Sequence, residues 1–243
     1  MNPWDPEQLK FDRGAFSGVA RLFPLPGLVA FPHTVQQLHI FEPRYRAMTE
    51  DALDSDGLIA LALLKPGWES DVAGRPPLLP HACLGKIIAH HRLDDGRFNL
   101  LLLGVSRVRL VEEVEPPIAF RRARVELLEE TLGELSEDDE ARLCRRLGSA
   151  MRARIADGPA AEQIAELLDR DPPLAVLTDL AGYTLGVPEP VKQQLLAEPC
   201  AAARATRLLE VVGGDQATDS PSAGEPGEQR PAKRGFPPPF SVN

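Results

Sequence analysis

Near Glu129 the spacing of apolar residues along this chain changes from a period of two to one of about 3.6, and no single kind of element satisfies both. Upstream, Leu38 and Ile40 alternate with Gln37 and His39, and Val108 and Leu110 with Arg107 and Arg109. Ala123, Val125 and Leu127 alternate with Arg122, Arg124 and Glu126. Such alternation puts one set of side chains on each face of a strand. Leu58–Leu64 is apolar throughout and short, as a strand covered on both faces would be. Asp94-Asp95-Gly96 separates His81–Leu93 from Arg97–Leu103, and Gly96 can supply the positive φ of a tight hairpin. Short strands divided by Gly and Pro predict a closed or nearly closed barrel over residues 19–130. One helix interrupts them, beginning at Pro43, where a missing N–H costs nothing.

Downstream, Ser136 and Asp139 have the spacing of a capping box. Leu143, Leu147, Met151 and Ile155 follow at four-residue steps and define one buried stripe. Gly158-Pro159 breaks that helix and starts another carrying Ile164, Leu167 and Leu168. Asp171-Pro172-Pro173 and Val187-Pro188-Glu189-Pro190 punctuate two more, and a last helix runs from about Pro199 to Val212 before Gly213-Gly214. Residues 131–212 are expected to form a small helical bundle, making the whole an α+β fold. Residues 1–18 read as an irregular arm whose Trp4, Phe11 and Phe16 pack onto the barrel. Residues 213–243, rich in Pro, Gly, Ser and Glu, read as a disordered tail.

Nearly all of the net charge of −9 belongs to the folding part, since the tail sets Arg230, Lys233 and Arg234 against Asp215, Asp219, Glu225 and Glu228. An acidic surface repels phosphate backbones and disfavours nucleic acid as a partner. Cys83, Cys144 and Cys200 form neither a CxxC pair nor a disulfide framework, which fits a reducing compartment. The first residues lack the basic start and apolar core of a signal peptide, and Leu58–Leu64 is too short to span a bilayer. A cytoplasmic protein without membrane association is expected.

Three stretches carry a family resemblance. The first runs Leu22-Phe23-Pro24-Leu25-Pro26-Gly27-Leu28-Val29-Ala30-Phe31-Pro32 and continues through Leu38-His39-Ile40-Phe41-Glu42-Pro43-Arg44-Tyr45-Arg46. The second is Leu84-Gly85-Lys86-Ile87, then Leu93 to Leu100 and Gly104-Val105-Ser106-Arg107. The third lies around Asp179-Leu180-Ala181 and Lys192-Gln193-Gln194-Leu195-Leu196. Together they resemble the Lon protease N-terminal (LON substrate-binding) domain family, here in a stand-alone form without ATPase or protease domains. The resemblance implies a PUA-like β-barrel followed by a helical bundle. It also implies recognition of unfolded or exposed apolar protein segments, as an adaptor in protein quality control with a protease or chaperone as partner. Ala30 and His33 stand where the family usually has Leu and Gly, so the turn after Phe31-Pro32 is expected to differ. Read as physical chemistry alone, the first stretch is a folding signature: its prolines stiffen an edge, and Tyr45, Met48 and Ala52 share one helix face.

Catalytic and cofactor motifs are missing. Leu84-Gly85-Lys86 comes nearest to a phosphate loop, but Pro80 occupies the first glycine position and Ile87 follows the lysine. Pro221-Ser222-Ala223-Gly224 has the letters around a Lon-type nucleophile but sits in the tail, with only Lys233 beyond it. His81, Cys83 and His91 share a strand face but spread too far to chelate one ion, so no metal or cofactor is expected. Arg107, Arg109, Arg121, Arg122 and Arg124 form a basic stripe that reads as a solvated face balanced by Glu112, Glu113, Glu115 and Glu126. Candidate peptide-binding residues are large apolar groups in Pro-Gly loops: Pro26, Phe31, Trp68 and Phe120. Their rings could equally cap the barrel. Two rival readings are a PUA-like RNA-binding module and a hydrolase with a site in the barrel–bundle cleft.

Overall fold

The computed structural model of the protein describes residues 11–71, 75–115, 118–154 and 159–214. Trp4, Ile155 and residues 215–243, the bulk of the expected tail, lie outside them. In chain order the elements are β1 (Val19–Leu25), β2 (Val35–Ile40), α1 (Pro43–Leu53), β3 (Leu58–Leu64), β4 (Leu78–Arg92), β5 (Phe98–Glu113) and β6 (Arg121–Leu127). Then come α2 (Glu137–Arg154), α3 (Pro159–Leu168), α4 (Leu174–Thr184), α5 (Glu189–Ala197) and α6 (Ala201–Gly214). Among the described residues no helix is long and apolar enough to cross a membrane.

The sheet closes on itself. Its order is β2-β5-β4-β3-β1-β6, and β6 pairs a second time with β5, so five strands form a ring and β2 hangs outside it. Only β1 and β3 run parallel. Arg97–Leu103 and Ser106–Val111, expected as separate strands, are one sixteen-residue strand. Its first half carries β2 and its second half β6, with Gly104 at the changeover. A Cβ at Gly104 would lie 2.1 Å from the Phe31 carbonyl oxygen, so only glycine lets the β1–β2 loop cross there.

Period-two patterning explains the two cores. Ala20, Leu22, Leu58, Ala60, Ala62, Ala82, Leu84, Val108, Ala123 and Val125 come from all five ring strands and fill the inside. Half of them are alanines, as a narrow ring requires. Phe11 and Phe16 of the arm pack against this cluster. On β3, Ile59, Leu61 and Leu63 point the other way, into a larger core shared with α1, α2, α4, α5 and α6. That strand is therefore buried along its whole length, as its apolar run predicts.

Local signals hold as well. The β4–β5 hairpin turns at Gly96 with φ of 80°, and the Leu93 N–H donates to Arg97 O at 2.8 Å. The Asp139 N–H donates to Ser136 Oγ at 3.2 Å, giving α2 its N-terminal cap. Leu147 and Met151 are fully buried and Leu143 partly so, along the expected stripe. α2, α4 and α6 pack on one another, while α5 leans on β4 and β5 and joins the helices to the sheet.

Candidate functional site

Register decides which loops meet. Leu25 of β1 lies beside Leu63 of the parallel β3, and Leu22 lies beside Arg121 of β6. The loop of Pro26-Gly27 and the loop of residues 65–71 therefore leave the same end of the ring, where Phe120 also enters. Pro26 is exposed and Trp68 half-buried, on the one-turn 3₁₀ helix Trp68–Asp71. Phe120 is buried, but Ile118 two residues before it is 43% exposed. A charged rim borders this end. Arg75 pairs with Glu113 at 2.6 Å and Glu115 at 2.8 Å, and Arg121 pairs with Glu113 and donates to Pro76 O at 2.7 Å. Burial alone would raise the Glu113 carboxyl, yet Arg121 and Arg75 outweigh it and hold the group below the usual carboxylate range. Accessible apolar groups and paired charges thus share this end of the ring.

The four sequence candidates thus divide. Pro26 and Trp68 reach solvent at the ring end, whereas Phe31 and Phe120 are core rings, which corrects the expectation that they stand free in their loops. Phe31 is fully buried because Gly182 of α4 leaves room for it: a Cβ there would approach the ring to 3.2 Å. Ile118 was missed because it follows Pro116-Pro117 with no periodic context, and its proximity to Phe120 was the available signal.

A second constellation lies at the seam between ring and helices. Arg107 turns inward from the predicted solvated stripe and is 3% exposed. Both its terminal nitrogens reach Asp179 of α4, which is completely buried. Arg107 also reaches Glu130 at 3.3 Å. Arg204 of α6 pairs with Glu130 and donates to Thr178 Oγ1 at 3.1 Å and to the carbonyls of Glu198 and Pro199. Two guanidiniums and two carboxylates therefore balance in a low-dielectric seam. Desolvation, and then the nearby Arg107, push the Arg204 guanidinium below its ordinary value. Burial drives the neighbouring Cys83 thiol upward, so it stays protonated. Arg107 was unreadable as a buried residue because its alternation with Val108 fits a wet face equally well. Asp179, between Leu177 and Ala181 on a core helix, was the visible clue.

His33 closes the mouth of this seam. Its backbone is left-handed with φ of 62°, a conformation glycine adopts most easily, and its Nδ1 lies 3.0 Å from Asp179 Oδ2. An imidazole on a buried carboxylate resembles half of a catalytic relay. Among the described residues, however, no hydroxyl or thiol hydrogen-bonds to His33. Elsewhere in the stripe, Arg109 pairs with Glu126 and Arg124 with Glu112 across the outer face.

Residues 19–213 match the family model for the ATP-dependent protease La (LON) substrate-binding domain. Lon protease 1 of Herpetosiphon aurantiacus is 27% identical over 203 residues, covering 79% of this chain and 24% of that protein. Lon protease 2 of Myxococcus xanthus is 25% identical, covering 80% of this chain and 23% of that protein. The chain thus spans about a quarter of the length of these relatives. Among solved structures, the Lon N-terminal domain protein of Xanthomonas campestris superposes with a TM-score of 0.58 at 21% identity, covering 79% of this chain and 96% of that one. The N-terminal domain of Mycobacterium avium complex Lon protease gives 0.61 at 20% identity, covering 80% and 98%. These two likenesses extend over nearly the whole of each solved domain and establish the shared fold.

Proposed function

Because this chain belongs to the ATP-dependent protease La (LON) substrate-binding domain family, we propose that it captures unfolded or exposed apolar segments of other proteins without catalysing any reaction on them. The observation that carries this reading is the ring end, where Pro26, Trp68 and Ile118 remain accessible at the same end as the Arg75–Glu113–Arg121 ion pairs. An apolar client side chain would be desolvated against Trp68 while the rim stays wet. A role as an adaptor for a protease or chaperone in the cytoplasm follows from the same reading, since a binding surface alone delivers a client and does not process it.

Trp68→Ala provides the test, with capture of permanently unfolded, carboxymethylated lactalbumin read by fluorescence anisotropy. Loss of a central aromatic anchor should weaken binding by more than about 1 kcal/mol. The melting temperature should stay within about 2 °C, because Trp68 lies outside both cores. Wild-type affinity in this variant would remove the ring end from the binding surface.

A further inference from the structure

β2 is the one strand of the sheet outside the ring, and its pairing with β5 leaves its other edge without a strand partner among the described residues. Six consecutive pairs, Val35 with Leu103 through Ile40 with Phe98, run without a bulge, so this edge is straight. Gly104 N–H donates to Thr34 O, and bonding alternates along an antiparallel ladder. Gln36, Leu38 and Ile40 therefore face β5 with their backbone groups, while Val35, Gln37 and His39 turn theirs outward. Sheets normally protect such an edge with lysine, proline, a bulge or an inward charge. Val35-Gln36-Gln37-Leu38-His39-Ile40 has none of these devices.

We propose that the free edge of β2 binds an extended segment of a client polypeptide by strand addition. The proposal rests on the reading of this protein as a binder of unfolded chains and adds a contact to the client backbone. It lies at the opposite end of β5 from the Trp68 surface, so one unfolded chain can hold both. Three observations select this occupant. Outward N–H and C=O groups at alternate residues match only another peptide backbone in register. The stretch is uncharged within an acidic protein, so it admits segments of varied sequence. Phe41, 57% exposed and stacked on His39 with ring centroids 6.2 Å apart, gives an apolar contact where β2 ends. A second copy fits less well. A six-residue edge is about 20 Å long, and pairing two of them buries far less than the roughly 1,200 Å² of a stable dimer.

Gln37→Pro removes one outward donor and places a ring on the open edge, while the ladder to β5 keeps its own donors. Gln37→Thr changes the side chain and keeps the N–H. With carboxymethylated lactalbumin as probe, Gln37→Pro should bind about tenfold more weakly or worse, and Gln37→Thr within about twofold of wild type. A second measurement uses only the wild-type protein: a short Val/Thr/Phe peptide should bind, and the same peptide N-methylated at alternate residues should not. Equal affinity of Gln37→Pro and wild type, or of the two peptides, overturns strand addition while leaving capture of unfolded chains intact. Absence of any wild-type binding to the probe overturns both. Concentration-dependent dimerisation abolished by Gln37→Pro would assign the edge to a second copy, and competition by single-stranded RNA at this edge to nucleic acid; either overturns the proposal.

Discussion

Asp179→Ala isolates what the buried charges contribute. Asp179 is fully buried and receives both terminal nitrogens of Arg107, with Arg204 Nε at 3.8 Å and His33 Nδ1 at 3.0 Å. Removing it leaves two buried guanidiniums with Glu130, whose side chain is one-third exposed, as their one remaining carboxylate partner among the described residues. Deleting one partner of a buried ion pair costs about 3–5 kcal/mol, most of it the penalty of the stranded charge. At roughly 2–4 °C per kcal/mol for a domain of this size, the melting temperature should fall by about 6–20 °C. Thermal denaturation followed by circular dichroism reads this directly. The double variant Arg107→Met/Asp179→Leu removes charge from both sides and should recover at least half of the loss. A single variant melting within about 3 °C of wild type would refute the reasoning. So would a double variant less stable than the single.

His33→Ala should cost about 1–2 kcal/mol in urea denaturation, because it loses the Asp179 contact and keeps the left-handed strain; His33→Gly should lie above His33→Ala, since glycine relieves that strain. Leu147→Ala and Met151→Ala should each lower stability by about 2–5 kcal/mol, and unchanged urea midpoints for both would mean that α2 packs through another face. Glu113 has a lowered folded pKa, so its contribution is complete above the unfolded carboxylate value and disappears as pH falls through the folded one. Accordingly, Arg75→Ala should move the Glu113 carbon-13 titration midpoint upward, and no movement would show that Arg75 does not hold it.

Much of this architecture is legible in the residues, and the reason is periodicity. β3 begins and ends where the apolar run places it, β2 contains the alternating Gln37 to Ile40, α1 starts at Pro43, and Ser136 caps α2 through Asp139. What escaped was tertiary. Alternation says that Arg107 and Val108 face opposite ways, but not that helices cover the arginine's side. The strand break expected near Gly104 reflects a glycine needed for close approach by Phe31, and sequence cannot distinguish that from a turn. For the candidate site, loop position identified Pro26 and Trp68, yet the same rule selected Phe31, whose burial depends on a space left by Gly182 far along the chain.

The core that joins β3 to α4, α5 and α6 determines how this molecule opens. Native-state amide exchange measures opening free energies residue by residue, and elements sharing one core exchange as one cooperative unit. The slowest amides of β3 and α4 should therefore converge on a single value set by global unfolding, with no intermediate plateau in which the ring persists alone. A chain cut before α2 would leave Ile59, Leu61 and Leu63 facing water along one side of the ring. Such a fragment would be a sticky half-structure, so ring and helices must be made, retained and degraded together.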